Sequence, residues 1–206
     1  GKSIVAVEYE DGILLTAENP SSSLNKIAEI YDRIAFAGAG KYSEFENLRR
    51  AGIRYADLKG YMYSREDVTT KSLANAYSET IGNIFTREAK PLEVEILLVE
   101  VGVDGSRNLM YRILYDGSIT DHGCFVAIGG QTERIESYLK AQYADSMKLA
   151  DALATSVEAL KSVENKTLDG GNLEVAVLNR HRPGRKFQRL RPDEVDMLLG
   201  RAKAPG

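Results

Sequence analysis

The chain has a single cysteine, Cys124, which excludes an intramolecular disulfide and suits a reducing compartment, with the cytoplasm the expected location. Histidine is nearly as scarce. His122 and His181 stand far apart, each beside a turn or loop signal and neither spaced as a ligand with Cys124 or with carboxylates. They read as surface or loop histidines, and no metal or cofactor is expected. No apolar run approaches the eighteen or so residues of a membrane span, and no charged-then-apolar leader is visible, so no membrane partner is expected. Positive charge is in short supply too. A formal net charge of −3 over 206 residues gives no global basic field for nucleic acid.

What is present is apolar surface to bury. Hydrophobic residues make up 43% of the chain, enough for one sizeable core and a single domain over 1–206. The first letters, Gly1-Lys2-Ser3, imitate the end of a phosphate-binding loop. That loop sits between a strand and a helix, with its glycines ahead of the lysine. Here the residues that follow, Ile4-Val5-Ala6-Val7, form an apolar strand, and the phosphate reading fails on context.

Periodicity divides the chain into blocks. Residues 3–18 read as a hairpin, with apolar runs on either side of Glu10-Asp11-Gly12. Continuous rather than alternating runs predict strands covered on both faces. Asn19-Pro20-Ser21-Ser22-Ser23 is a loop. Strands are expected over 26–31 and 34–40, the second in the small-residue stretch IAFAGAG, which permits close backbone approach. Ser43-x-x-Glu46 reads as a capping box that opens a helix. A second helix is expected over 70–86, with Leu73, Ala76, Tyr77, Ile81, Ile84 and Phe85 on one face. Strands return over 94–102, 109–115, 118–120 and 124–130. Helices over 132–143 and 148–163, strands over 173–179 and near 187–190, and a last helix opening at Pro192-Asp193-Glu194 complete the order.

The order ββββ-αα-ββββ-αα-ββ-α does not suit an alternating parallel fold. It predicts an α+β protein: a four-layer αββα sandwich of two stacked, mostly antiparallel sheets with helix pairs on the outer faces.

That order, with the stretches AENPSSSLNKIAEIYDRIAFAGAGKYSEFENLRRAGIRYAD (17–57), LANAYSETIGNIFTREAKPLEVEILLVEVG (73–102), YRILYDGSITDHGCFVAIGG (111–130) and LEVAVLN (173–179), resembles the α-subunits of the 20S proteasome, the actinobacterial type in particular. The likeness runs from Ser3 to about Leu190. It implies the fold of the N-terminal-nucleophile hydrolases and a heptameric ring of copies of this chain, stacked on catalytic β-subunits. It also implies docking of a ring-shaped AAA ATPase, passage of protein substrates, and in actinobacteria a ubiquitin-like tag on those substrates. Family members carry an N-terminal gate segment and a first helix that the sequence as read does not include, and the tail RAKAPG is short.

Catalytic members of this fold use a terminal threonine, an acid on the second strand and a lysine beyond it. Glu18 falls where the acid would lie, though it also reads as a polar strand end. No threonine stands in Gly1-Lys2-Ser3, and the stretch from Glu18 to Lys26 is shorter than the one that carries the lysine. The chain is therefore expected to be non-catalytic. The alternatives are an active peptidase that uses Ser3 after trimming and a stand-alone binding module.

The resemblance assigns three further sites. Lys26, alone an exposed strand-edge lysine, is implied to face a pocket between neighbouring subunits and to pair with the C-terminal carboxylate of an activator tail. Lys90, Pro91, Leu92 and Glu93 match the loop that narrows the axial entrance, with the family's aromatic and glycine replaced. The helix that begins near Ser43 is implied to face the β-ring through Arg49 and Arg50, with Glu46, Arg49, Arg50 and Arg54 outward. The basic run Arg180, Arg182, Arg185, Lys186, Arg189 and Arg191 lacks interleaved aromatics apart from Phe187, and a solvated edge or a subunit contact is expected there.

Overall fold

Strand pairing sets the frame of the computed structural model, which describes residues 2–21 and 23–200. Ile4–Tyr9 (β1) and Gly12–Glu18 (β2) form the expected hairpin, with Val7 opposite Leu14 and Ile4 opposite Ala17. Ile27–Tyr31 (β3) and Ile34–Gly40 (β4) form a second one. Two helices follow, Tyr42–Met62 (α1) and Thr70–Arg87 (α2), with a single 3-10 turn at Arg65–Asp67 between them. Then come Val94–Glu100 (β5), Leu109–Ile113 (β6), Ile119–His122 (β7) and Phe125–Ile128 (β8). Thr132–Gln142 (α3), Leu149–Lys161 (α4), Leu173–Asn179 (β9), Phe187–Arg189 (β10) and Pro192–Leu198 (α5) end the described chain. The paired order read from the sequence is the observed order. The RAKAPG tail, residues 201–206, lies outside the described residues.

The strands form two five-stranded sheets, β10-β9-β2-β1-β8 and β3-β4-β5-β6-β7, in which every observed pair is antiparallel. Three apolar clusters make the four layers. Between the sheets lie Ile4, Ala6, Ile13, Leu15, Leu97, Val99, Val126 and Leu178, with Ala35, Ala37 and Ala39 of the small-residue stretch. On the outer face of the first sheet, Val5, Val7, Leu14 and Val177 meet Leu139, Leu153 and Val157 of α3 and α4. On the outer face of the second, Ile34, Phe36, Ile96 and Leu98 meet Phe45, Leu48, Leu73 and Ile81 of α1 and α2. This double coverage is why the strands read as continuous apolar runs. Alternate residues of β4 serve different clusters, so its alanines let the two sheets approach.

Several local expectations are corrected. The capping box at Ser43 and Glu46 does not form. The helix starts earlier, at Tyr42, after Lys41, which offers no side-chain cap. Gly40 explains the shift. Its φ of 113° turns the end of β4 straight into α1, and a Cβ there would lie 2.0 Å from the Glu93 carbonyl oxygen. Glu46 instead pairs with Arg49 and Arg50 one turn on. Phe85 is exposed rather than core-facing, and its ring stacks edge-on with Tyr115, 5.7 Å between centroids. His122 is a half-buried member of β7, not a loop residue, with its Nε2 2.8 Å from the Thr120 hydroxyl. His181 is exposed beside Asp11. Among the described residues no helix is long and apolar enough to cross a membrane.

Candidate functional site

The strand registers bring six strand ends to one end of the sandwich. The start of β1, the end of β2 and the end of β8 meet there, because Ile4 lies opposite both Ala17 and Ile128. The start of β3, the end of β4 and the start of β5 join them from the other sheet, because Gly40 lies opposite Val94 and Ala37 opposite Ile27. Hydrogen bonds cross between the sheets at this end. The Gly129 N–H donates to Glu95 Oε2 at 2.9 Å, and the Lys26 ammonium donates to the Glu18 carbonyl at 3.1 Å.

The short link after Glu18 therefore does carry Lys26 back to Glu18. What meets, however, is the ammonium and a main-chain oxygen. The Glu18 carboxylate is engaged elsewhere, by Lys2 at 3.3 Å and by Lys166. Burial alone would raise the Glu18 pKa; hydrogen bonds from Lys166 and Lys2 outweigh it and hold the carboxyl below its ordinary range. Lys26 is half-buried. Desolvation pushes its ammonium below the usual lysine value, with the charges of Glu174 and Glu18 opposing that fall. Among the described residues no carboxylate lies within ion-pair distance of it. The exposed edge lysine read from the residue alone is thus corrected: β3 is an edge strand, but Lys26 at its entrance is partly enclosed.

Ser3 directs its hydroxyl at the Gly130 carbonyl. Lys2, Ser3, Glu18, Gly130 and Gln131 line a cleft of about 480 Å³ together with Leu160, Val163 and Glu164.

The segment leading to Lys26 is held by a residue that the sequence did not single out. Glu174 of β9 is only 8% exposed. Its Oε1 accepts from Asn19 Nδ2 at 2.8 Å and from the Lys26 main-chain N–H at 2.8 Å. Its Oε2 accepts from the Ile27 N–H at 2.9 Å and from Arg189 at 2.5 Å. The signal for it was one charged residue inside LEVAVLN, a strand otherwise apolar on both faces. Lys166 carried no such signal, since it lies in a loop between α4 and β9.

The remaining candidates fall elsewhere. In the 87–95 loop, residues 88–90 are exposed, Leu92 packs against the α1/α2 core, and Glu93 is pinned to α1. The Glu93 N–H donates to Glu44 Oε2 at 2.7 Å, and its carbonyl accepts from the Lys41 N–H at 2.9 Å. On α1, Arg50 and Arg54 face solvent, but Arg49 does not project outward as expected. Its guanidinium folds back on Glu46, with Nε to Oε2 at 2.9 Å, in a cleft that also takes in Tyr42 and Phe187. The basic run is spent within the chain. Arg180 donates to the Gly102 and Glu10 carbonyls, Arg182 to the Phe187 carbonyl, and Arg185 pairs with Glu29. Arg189 pairs with Glu174, and Arg191 with Asp193 and Glu194. Among the described residues, carboxylates pair with Arg185, Arg189 and Arg191 of this run, while Arg180, Arg182 and Lys186 donate to carbonyls.

Residues 1–178 match the family described as proteasome subunit. The chain is 50% identical to the proteasome subunit alpha of Saccharomonospora viridis over 206 residues, which cover 97% of this chain and 81% of that protein. It is 50% identical to the proteasome subunit alpha of Thermomonospora curvata, over 97% of this chain and 87% of that one. Against the proteasome subunit alpha of Frankia casuarinae the identity is 49%, over 99% and 88%.

Proposed function

The chain belongs to the proteasome subunit family as an α-type member, and from that premise we propose that it is a non-catalytic subunit of a heptameric α-ring in the 20S core particle. In this reading the ring restricts entry to the proteolytic chamber in the cytoplasm, templates the β-ring and docks a ring-shaped ATPase that feeds in tagged, unfolded proteins. The loop with Lys90, Pro91, Leu92 and Glu93 narrows the axial entrance, and α1 meets the β-ring through Arg50 and the Glu46–Arg49 pair. Lys26 receives the C-terminal carboxylate of the ATPase tail.

The observation that carries the docking role is the state of Lys26. Its ammonium is partly desolvated, bonded to one carbonyl and without a carboxylate partner among the described residues. The neighbouring carboxylate of Glu18 is already engaged by two other lysines. An incoming α-carboxylate supplies the missing counter-charge, and such a contact is stronger in a partly buried setting than in open water. The peptidase alternative finds less support. That chemistry needs the α-amine of Ser3 as base, and here the Ser3 nitrogen lies in the peptide bond to Lys2 while its hydroxyl is spent on the Gly130 carbonyl.

The test is binding of a ten-residue peptide with the ATPase's own C-terminus to assembled rings, by calorimetry. Charge-assisted hydrogen bonds contribute about 1.5–3 kcal/mol, so Lys26→Ala should weaken binding roughly ten- to more than a hundredfold. Peptide hydrolysis by the complete core particle should be unchanged while ATPase-dependent protein degradation is lost. Equal affinity of wild-type and variant rings would refute the role.

A further inference from the structure

We propose that Glu174 is a positioning residue for docking: it fixes the backbone at Lys26, and through it the place of the ammonium. The inference rests on the docking role of Lys26 and extends it to a residue 148 positions away.

Segment 19–26 must cross from β2 in the first sheet to β3 in the second. Both ends of that crossing are tied to one carboxylate. Asn19, where β2 has ended, donates to Glu174 through Nδ2; Lys26 and Ile27, where β3 begins, donate through their main-chain N–H groups. Asn19 extends the hold into the loop, with Nδ2 2.6 Å from the Leu24 carbonyl oxygen and Oδ1 accepting from the Ser21 N–H at 3.1 Å. Arg189 closes the arrangement from β10, with one nitrogen on Glu174 and another 2.6 Å from the Ile27 carbonyl oxygen. The Lys26 carbonyl is held on the remaining side by the Gly38 N–H at 3.0 Å.

With N–H and carbonyl both fixed, the Lys26 Cα has little freedom, and its side chain starts from a set point toward the open end of the sandwich. A binding group is effective only when supporting contacts hold it within about 0.5 Å of its productive place. The Lys26 ammonium, with one carbonyl partner of its own, depends on the backbone for that precision. Glu174 is nearly buried, and its two oxygens are taken up by Asn19, the Lys26 and Ile27 N–H groups and Arg189, so its hold on the docking end is through the backbone at Lys26.

A double-mutant cycle tests this on assembled rings of the full-length subunit, with the same tail peptide and its C-amidated form as probes. Glu174→Gln keeps the shape but replaces one acceptor oxygen with a donor facing main-chain N–H groups. It should weaken the free-acid peptide about tenfold, the lower end of what is lost when an outer partner orienting a binding group is removed. In a Lys26→Ala background the same change should do nothing further, and binding of the amidated peptide should not respond. Hydrogen exchange across 19–27 should quicken in Glu174→Gln without any ligand present. If Lys26→Ala alone leaves binding intact, the docking role itself falls. If Lys26→Ala weakens binding and Glu174→Gln does not, only the positioning role falls. A tenfold loss that persists in the Lys26→Ala background would overturn it as well, since a general loss of folding acts without Lys26. Should Glu174→Gln rings fail to assemble, Arg189→Lys carries the same cycle, because it removes the planar fork and leaves Glu174 in place.

Discussion

Two glutamates are buried on strands covered on both faces, and they receive different parts of the chain. Glu100, at the end of β5, is 9% exposed and accepts from the main-chain N–H and the hydroxyl of Thr70, each at 3.2 Å. Those donors are the first residue of α2, so the carboxylate faces the positive end of a helix and closes a joint between helix and sheet. Glu174, on β9, is buried to the same degree but receives a loop, a strand entrance and a guanidinium. Burial and charge are matched in the two acids. What differs is what lies downstream: beyond Thr70 there is a helix face buried in the core, and beside Ile27 there is a lysine at an open end. A buried acid is therefore classified by the donors it gathers: Glu100 gathers a helix start, and Glu174 gathers the segment that carries the proposed docking lysine.

The contrast is broken most sharply by truncation. Glu174→Ala leaves two main-chain N–H groups, an amide and a guanidinium without their acceptor. Breaking a buried ion pair costs about 3–5 kcal/mol. The low end, about 3 kcal/mol, is expected here, because Arg189 keeps 35% of its side chain exposed and can rehydrate. Urea unfolding of the subunit measures it. Glu100→Ala strands one N–H and one hydroxyl at a helix start, and about 2 kcal/mol is expected, within the range for orphaned buried donors. The decisive reading is the pairing of assays. Both changes lower stability, but among the rings that assemble only the Glu174 variant should lose tail binding. Equal loss in both would erase the distinction.

Next in size is a change that reverses the pattern. Lys26→Met keeps the hydrophobic stem and removes an ammonium that burial already disfavours. Stability should be unchanged or slightly raised, while docking falls at least about tenfold, as for loss of a charge-assisted contact. The depressed pKa gives a pH signature. Between the folded and the ordinary lysine pKa the unfolded chain binds more protons, so stability from this group rises with pH across that alkaline window. Docking moves the other way, failing as pH rises through the folded value, because the neutral amine no longer attracts a carboxylate. A docking affinity flat to pH 11 would contradict the assignment.

The two acids also mark the limit of what the sequence discloses. The hairpin of β1 and β2, the helix pairs and the three buried layers follow from turn residues and apolar spacing, both local signals. Lys26 emerged from a motif resemblance, yet its half-buried state did not, because the enclosing groups come from the end of β2 and from β9. The capping box failed for a related reason. Ser43 and Glu46 have the right spacing, but the contact of Gly40 with the Glu93 backbone, far along the chain, sets where α1 begins. Arg49 is expected outward on α1, and Glu46 on the same helix draws it back. Glu174 was visible only as an oddity, one charge in a covered strand, with nothing in its neighbourhood to name the loop it holds.

The smallest expected effect concerns another acid, Glu18, which shares its end of the sandwich with Glu174 but is neither buried like it nor bound to main-chain donors. Lys166 and Lys2 hold its carboxylate, and its pKa lies below the ordinary value for that reason. The sign follows: the contribution to stability is present above the unfolded pKa, about 4.3, and is lost as pH falls through the lower folded value. Lys166→Ala should therefore shift the acid limb of unfolding to higher pH. It should also touch docking. With Lys166 gone, the Glu18 side chain is freer to turn toward the ammonium that already contacts its main chain. Glu18 then competes with the tail carboxylate for one ammonium, and the tail peptide should lose roughly fivefold in affinity, less than on loss of the ammonium itself. Glu18→Gln in the Lys166→Ala background should restore the lost affinity, since the competing charge is gone while the carbonyl contact remains. If Lys166→Ala weakens docking and Glu18→Gln does not restore it, Lys166 acts on the tail directly, and the cation site at this end of the sandwich contains two lysines rather than one.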